Sequence, residues 1–544
     1  MSAIESFKRE TDLPVFALAV AALLGLIVAI VGWPDAAAAK LATANELIVA
    51  NLGWLYLWVV FLSFVFVVYI MIGPWGKLKL GDPDDEPEFS FWQYIVLTFT
   101  AGLSSGGLEF WGPAEPLVHY DTRPPYFSGE AGTWAGMADA LQYAIFHYGL
   151  SAWATYLVFA VAISYYVYRK GADFRPAVVL APFVGVDNLD GWLAKVVDAL
   201  MIIVIVSGIT VSFGLGISQF ASGLGFKWGV ALGDGGKIGL ALLVGVLFLL
   251  SVLAGIQKGI QRFADLNVVL LIGLMVATFA FGPLSSLVDL GTQAVTGYAT
   301  DFVGMSLFFA PGAEGANWLS NWTLFFWPWW LTFAPMVGIF MARISKGRTL
   351  RQLVAAGLFG SFGLTVPWYV GTGGSALLLQ TSGAADLLGV YNSAGLEAVG
   401  FALFEELLPF AGLFSGVLLL LVVSFLITTM DSSTLSLAMI VADGESPSWI
   451  TRVVWGVLMV LLTIALMLAG GMSVMQSFTI LVGLPTAILC AVAMVGMVLE
   501  LEREVPVLGA ALGGDDGGER TDDTPESTSS VSVQGSTGQP ADSD

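Results

Sequence analysis

A single cysteine, Cys490, occurs among 544 residues, so no intrachain disulfide braces the chain. It stands inside an apolar run, where a thiol packs as a small hydrophobe. Histidine is nearly as scarce: His119 and His147 are the only two, too few for a zinc site without carboxylate help. Charge is thin as well. Asp, Glu, Lys and Arg make up 12% of the chain, where a soluble domain carries roughly a quarter. What charge there is leans acidic, net −21, which argues against nucleic acid or anionic lipid as partner. There is no P-loop, no G-x-S-x-G nucleophile context and no His-rich ligand set, so neither ATP drive nor intramembrane hydrolysis has its machinery. The chain does not read as an enzyme.

What is abundant is apolar length. Hydrophobic residues make up 57% of the chain and mean hydropathy is +0.82. Runs of eighteen or more apolar residues recur, each long enough to cross a bilayer as a helix. Twelve spans are expected, at 13–33, 51–73, 91–112, 137–168, 192–217, 237–256, 264–284, 322–344, 349–372, 411–440, 449–470 and 473–499. The first lacks a small-residue cleavage site and is expected to stay as a span rather than leave as a signal peptide. Short or amphipathic helices are expected at 285–310 and 384–408. Of 21 Lys and Arg, only Lys40, Arg123, Lys227 and Lys237 fall outside if the N-terminus is cytoplasmic. That bias places both termini in the cytoplasm and the chain in the cell membrane. From Glu500 the composition turns to Asp, Glu, Gly, Ser and Thr, which cannot bury enough apolar surface to fold, so 500–544 is expected to be disordered. Acidity in this tail and in GDPDDEPE (81–88) reads either as a solvated tail or as adaptation to a salt-rich, halophilic cytoplasm.

Two spans are unusual at corresponding places. Span 3 contains AGLSSGGLEFWG (101–112), small residues around a carboxylate, and span 8 contains NWTLFFWPWWLTF (321–333), broken by Pro328. Each opens a block of five spans. Paired interruptions in two halves point to a transporter built from inverted repeats, because unwound backbone at membrane depth survives only around a cavity. The expected fold is all-α: two peripheral N-terminal helices (13–90) after a cytoplasmic start (1–12), then a first repeat (91–284), an external connector (285–321), a second repeat (322–499) and the tail.

On a helix advancing about 100° per residue, Trp322, Phe326, Trp329, Trp330 and Phe333 share one face of span 8, with Trp327 at its edge. Tyr148, Trp153 and Tyr156 share an arc of about 140° on span 4. Such stripes are commonly core packing or an interfacial belt. A belt seldom occupies three turns of one face. Rings around a cavity are also what a quaternary ammonium group needs: it has no N–H to donate, and each ring attracts it by roughly 0.5–2 kcal/mol.

NWTLFFWPWW with APMVGIFMARISKGRT (334–349) closely resembles the signature of the betaine–choline–carnitine transporter family. ALQYAIFHYGLSAWATYLVFAVAISYYVYRKG (140–171), FWGPAEPLVHY (110–120) and SFLITTMDSSTLSL (424–437) are similar to further segments of that family. The resemblance runs from about residue 10 to 500. It implies two inverted five-helix repeats, alternating access, and often a homotrimer. The family's aromatic box falls on Tyr148, Trp153, Tyr156, Trp329, Trp330 and Phe333, with Tyr148 and Phe333 standing where tryptophan is usual. Both keep a π face. A betaine carboxylate is expected to meet backbone N–H groups or the hydroxyls of Ser104 and Ser105.

The resemblance also implies a sodium site joining the span 3 break to span 10, at Ala101, Ser104, Phe425, Thr428 and Thr429. The competing reading is that Thr428 and Thr429 bond back to their own helix. A second family site, on span 5, falls on Ile205 and Ile209, which offer no ligand, with Thr210 and Ser212 nearby. Nor do these isoleucines supply the positive side chain of sodium-independent exchangers. Glu109 reads as a proton carrier, a partner of the substrate cation, or an acceptor for backbone N–H. Asp431 is expected to be structural or gating, and Glu115 to cap the exit of span 3. Apart from sodium or a proton no cofactor is expected. The leading expectation is sodium-coupled import of glycine betaine or a related quaternary ammonium osmolyte. The alternatives are proton-coupled choline or betaine symport through Glu109, and a ligand sensor that lost transport.

Overall fold

The computed structural model describes residues 7–506 apart from 104–106, 131, 254–256, 311 and 443–447. The acidic segment 507–544, and with it most of the expected disordered tail, lies outside the described residues, as do Ser104 and Ser105. Among those described the chain is helical, and its only β pairings are two isolated bridges, Thr11 with Ala442 and Lys79 with Thr349.

The principal helices are α1 (Leu13–Gly32), α2 (Pro34–Ile72), α3 (Phe91–Leu103), α4 (Leu108–Thr122), α5 (Trp134–His147), α6 (Leu150–Lys170), α7 (Trp192–Trp228), α8 (Asp234–Leu253), α9 (Gln257–Phe281) and α10 (Leu284–Ser306). There follow α11 (Ala313–Asn321), α12 (Thr323–Arg343), α13 (Leu350–Ala355), α14 (Ser361–Ser382), α15 (Leu387–Ala394), α16 (Val399–Leu407), α17 (Ala411–Ile440), α18 (Trp449–Ala469) and α19 (Met472–Glu504). Among the described residues ten helical segments are long and apolar enough to cross a membrane, and the bent pair Asp265–Phe281 with Leu284–Ser306 makes an eleventh. The remaining expected span, 91–112, corresponds to α3 and the start of α4. The helices expected at 285–310 and 384–408 are present as α10, α15 and α16.

Burial sorts these helices. In α1 only 28% of the most apolar stretch is buried, whereas in the segment Glu314–Arg343 the share is 94%. So α1 lines the rim, with Leu24, Val28 and Val31 exposed as a lipid-facing side requires, and α12 is the central post. It packs against α6, α19, α7 and α2.

Several boundaries differ from expectation: α2 begins at Pro34 rather than 51 and α7 runs to Trp228 rather than 217, and three further differences are local. First, α12 runs unbroken through Pro328 and Pro335. A proline inside a helix forfeits one hydrogen bond, and here neighbouring helices hold the segment straight enough to continue. Its interruption lies six residues earlier, at Trp322 (φ −120°, ψ −87°), where α11 ends. Second, span 4 is two helices, because α5 stops at Tyr148 and α6 starts at Leu150. Third, α19 extends to Glu504, since Glu500 pairs with Lys170 at 2.9 Å and Glu504 with Arg169.

Helices approach closely where a residue has no side chain. A Cβ on Gly483 of α19 would lie 2.6–2.9 Å from the Cβ, Cα and carbonyl oxygen of Pro328. Backbone atoms cannot move aside cheaply. Gly483→Leu is therefore expected to destabilise the folded protein by about 1–3 kcal/mol, read as a lower melting temperature of the detergent-purified protein. Gly25→Ala, with nothing within 4 Å, is expected to leave it unchanged.

Candidate functional site

The rings of α6 and α12 meet at the centre. Trp330 lies with its ring centroid 5.0 Å from Tyr156, 5.6 Å from Trp153 and 5.3 Å from Tyr148. Trp153 and Tyr156 are 5.9 Å apart. These four residues are all buried. The structure thus brings together Tyr148, Trp153, Tyr156 and Trp330, while Trp329 stands at 6.5 Å from Tyr148 and Phe333 at 6.4 Å from Trp329. Trp327 faces elsewhere, 5.0 Å from Phe146. Trp153 reaches this position by lying across α3 at Gly102, where any Cβ would sit 2.1 Å from its ring.

The break at Tyr148 has a local cause. Gly149 separates two helices, and the backbone N–H of Leu150, left without an intrahelical acceptor, donates to the Tyr298 hydroxyl at 3.0 Å. Tyr148 therefore projects from a helix end rather than from the continuous wheel assumed for it, and the glycine beside it was the available signal.

With centroids 5–6 Å apart the four rings close on one another, leaving no room among them for a trimethylammonium group. Yet three of their polar atoms have no hydrogen-bond partner among the described residues: the indole N–H groups of Trp153 and Trp330 and the hydroxyl of Tyr148. All three are buried. An unpaired buried donor costs about 1–3 kcal/mol, and three at one place mark a position that something else completes.

Beyond Trp329 lies a small cavity of about 20 Å³, lined among others by Gly107, Glu109, Ile209, Ser212, Gln219, Phe425 and Thr429. That is room for one water-sized species. Gly107 adopts φ +88°, where a side chain is strained, and it lets Trp329 approach the start of α4. Glu109 occupies the first turn of α4, where a helix N-terminus favours an anion. Its carboxylate accepts from the backbone N–H of Gly107 and from its own. Ser212 accepts from the Trp329 indole N–H at 3.2 Å, and the Gln219 side-chain oxygen is buried without a partner among the described residues.

The residues expected to bind sodium divide. Phe425 and Thr429 line this cavity, and Ala101 is buried near the end of α3. Thr428 points away: its hydroxyl bonds back to the carbonyls of Ser424 and Phe425 at 2.9 and 3.1 Å and accepts from Asn267 Nδ2 at 3.1 Å. The Ser424 hydroxyl donates to Asn267 Oδ1. Asn267 of α9 was missed in the sequence reading, although an amide in the apolar run ADLNVVLL was its signal. Ile205 is buried and Ile209 lines the cavity, neither offering a ligand. Thr210 turns toward Met459 of α18 instead.

Glu115 does not cap α4, which ends at Thr122. It lies fully buried between His119 and His147. Asp431 pairs with Arg452 of α18 at 2.6 Å, both side chains at most 10% exposed. Removing one partner of a buried pair leaves a lone charge. Asp431→Ala is therefore expected to cost about 3–5 kcal/mol in thermal unfolding, most of it recovered when Arg452→Met is added.

A family model described as "BCCT, betaine/carnitine/choline family transporter" matches residues 14–506. The glycine betaine transporter OpuD of Bacillus subtilis is 34% identical over 494 residues, 90% of this chain and 94% of that protein. The ectoine/hydroxyectoine transporter of Virgibacillus pantothenticus is 30% identical over 83% of this chain and 89% of its own. A solved Na+-coupled sialic acid symporter aligns over 83% of this chain and 86% of its own at 15% identity and TM-score 0.40.

Proposed function

We propose, from the premise that the chain belongs to the betaine/carnitine/choline family of transporters, that it imports glycine betaine by sodium-coupled alternating access. It is a multi-pass membrane transporter and not an enzyme; the solute, the coupling ion and the orientation of the termini belong to the proposal.

The observation that carries the solute is the pairing of four ring faces with three donors around Trp330 that have no partner among the described residues. Glycine betaine is a zwitterion. Its trimethylammonium end suits ring faces, and its carboxylate accepts the hydrogen bonds that Trp153, Trp330 and Tyr148 offer. Choline, with a hydroxyl in place of the carboxylate, uses fewer of them. Because the rings are closed on one another, Trp330 and the α6 rings have to part for the solute to enter, a separation that alternating access supplies. The halves that move are taken as 91–284 and 322–499. The family resemblance adds a homotrimer to the proposal.

Sodium is supported by the neighbouring cavity. Its size and its oxygens, from Glu109, Ser212, Gln219 and Thr429, suit a small hard cation. The ion would thus use Thr429 and Phe425 of the expected set, with Glu109 as a ligand, while Thr428 remains tied to Asn267. Proton coupling through Glu109 is the second reading, favoured by its burial within the same cavity.

Trp330→Leu is expected to lower glycine betaine affinity at least about tenfold, equivalent to 1.4 kcal/mol, in protein that still inserts and elutes normally. Unchanged affinity contradicts the cage. Uptake into liposomes under separately imposed sodium and proton gradients is expected to follow sodium. If Glu109→Gln abolishes a proton-driven flux instead, the second reading replaces the first.

A further inference from the structure

We propose that Glu115, His119 and His147 form a buried proton-binding site, filled from the side bearing Arg123 and Phe127, that makes solute uptake depend on pH.

The geometry is a carboxylate shared by two imidazoles. Glu115 Oε1 lies 3.0 Å from His119 Nε2 and 2.6 Å from His147 Nδ1, and Tyr369 donates to Oε2 at 3.4 Å. The far nitrogen of His147, Nε2, lies 2.9 Å from the Thr323 hydroxyl. All three titratable side chains are fully buried. Aromatic rings wall them in, with Trp322 4.5 Å from His119 and Phe326 stacked 4.7 Å from His147.

Charge balance sets what this cluster can hold. No basic side chain pairs with it among the described residues, so with both imidazoles neutral and the carboxylate ionised it carries −1. One added proton makes it neutral, wherever that proton resides, and a second makes it +1. In a dry interior the neutral form is the cheapest. The groups interact so closely that the proton belongs to the cluster rather than to one residue. Both charge states keep their hydrogen bonds. With His147 neutral, Thr323 donates to Nε2; with His147 protonated, Nε2–H donates and the hydroxyl turns to accept.

A small crevice borders the cluster, and side-chain contacts lead from it to the cage. His119 lines a narrow surface crevice with Tyr120, Arg123, Phe127 and Asp139, and its Nδ1 has no partner among the described residues. From His119 the contacts run to Glu115, then to Tyr369, whose ring lies 5.3 Å from Tyr148 of the cage. His147 is the residue before Tyr148. Occupancy of the cluster therefore bears on how α5, α12 and α14 hold that ring. The other titratable groups nearby are Glu109, one and a half turns earlier on α4, Tyr143 and Asp139 on α5, and Tyr369 and Tyr148 already named. Asp301 of α10 is bound to Gln142, and Glu405 of α16 to Lys227.

This inference rests on the transport reading for its effect on uptake, but the site itself is testable without any solute. The chain has only two histidines, so nitrogen-15 histidine labelling of the full-length protein in lipid, purified without a histidine tag, reports on His119 and His147 alone. The expected result is that both imidazole signals titrate together as one single-proton step. Signals that stay unchanged across the pH range, or that titrate independently, overturn the proposal whether or not solute is carried. In liposomes at fixed sodium, wild-type glycine betaine uptake is expected to fall about tenfold per pH unit on the alkaline limb, as loss of one proton dictates. Glu115→Gln, nearly isosteric and unable to ionise, is expected to bind solute normally and lose that slope. A wild type without the slope, or a Glu115→Gln variant that retains it, contradicts the proposal. Absence of binding in the wild type contradicts the solute assignment and leaves the labelled-histidine result to decide the site.

Discussion

At membrane depth no water completes an unfinished hydrogen bond, so each polar group must find a protein partner or a ligand. Most of this chain obeys that rule locally. Serines and threonines bond back to their own helices, as Ser63 does to Val59 and Thr365 to Ser361, and buried charges are paired, as in Asp431 with Arg452 and Arg175 with Asp198. Other buried polar atoms have no partner among the described residues, and several of them lie near α12. The three donors around Trp330, the Gln219 oxygen and His119 Nδ1 are among them. What sets the Trp330 position apart is that three such donors converge on one set of rings.

The central position of α12 follows from its composition. An aromatic helix is poorly suited to lipid on all sides when it also carries indole N–H groups, and burial against α6, α7 and α19 lets its rings pack on small residues. Gly102, Gly107 and Gly483 each occupy a point where a side chain would collide with a ring or with Pro328. The resulting contacts are tight on the α19 side and ring on ring toward α6. Motion that admits a solute is therefore expected where ring meets ring, since sliding rings apart disturbs fewer fixed contacts than shifting a backbone-to-backbone contact.

Much of the architecture was legible in the sequence because apolar length is a strong signal. Most expected spans match helices in the structure, and the aromatic faces of spans 4 and 8 do meet. What escaped was everything that depends on which way a side chain points. The wheel for span 4 assumed a continuous helix, whereas the chain breaks beside Gly149. Pro328 looked like the interruption, but the break falls at Trp322. Thr428 and Thr429 are adjacent in sequence and face different neighbours, and only the structure separates them. Glu115 was expected to cap the exit of span 3, whereas it sits inside α4 one turn from His119, and His147 joins them only through the crossing of α4 and α5.

The central claim is that the rings around Trp330 receive a methylated nitrogen. The most direct test is solid-state NMR distance measurement between the carbon-13-labelled methyl groups of glycine betaine and nitrogen-15-labelled indoles in the membrane-embedded protein, with Trp330→Phe used to assign the Trp330 signal. The account predicts methyl carbons within roughly 6 Å of the Trp330 ring, the reach of a cation–π contact. Bound glycine betaine with no contact to that ring contradicts it.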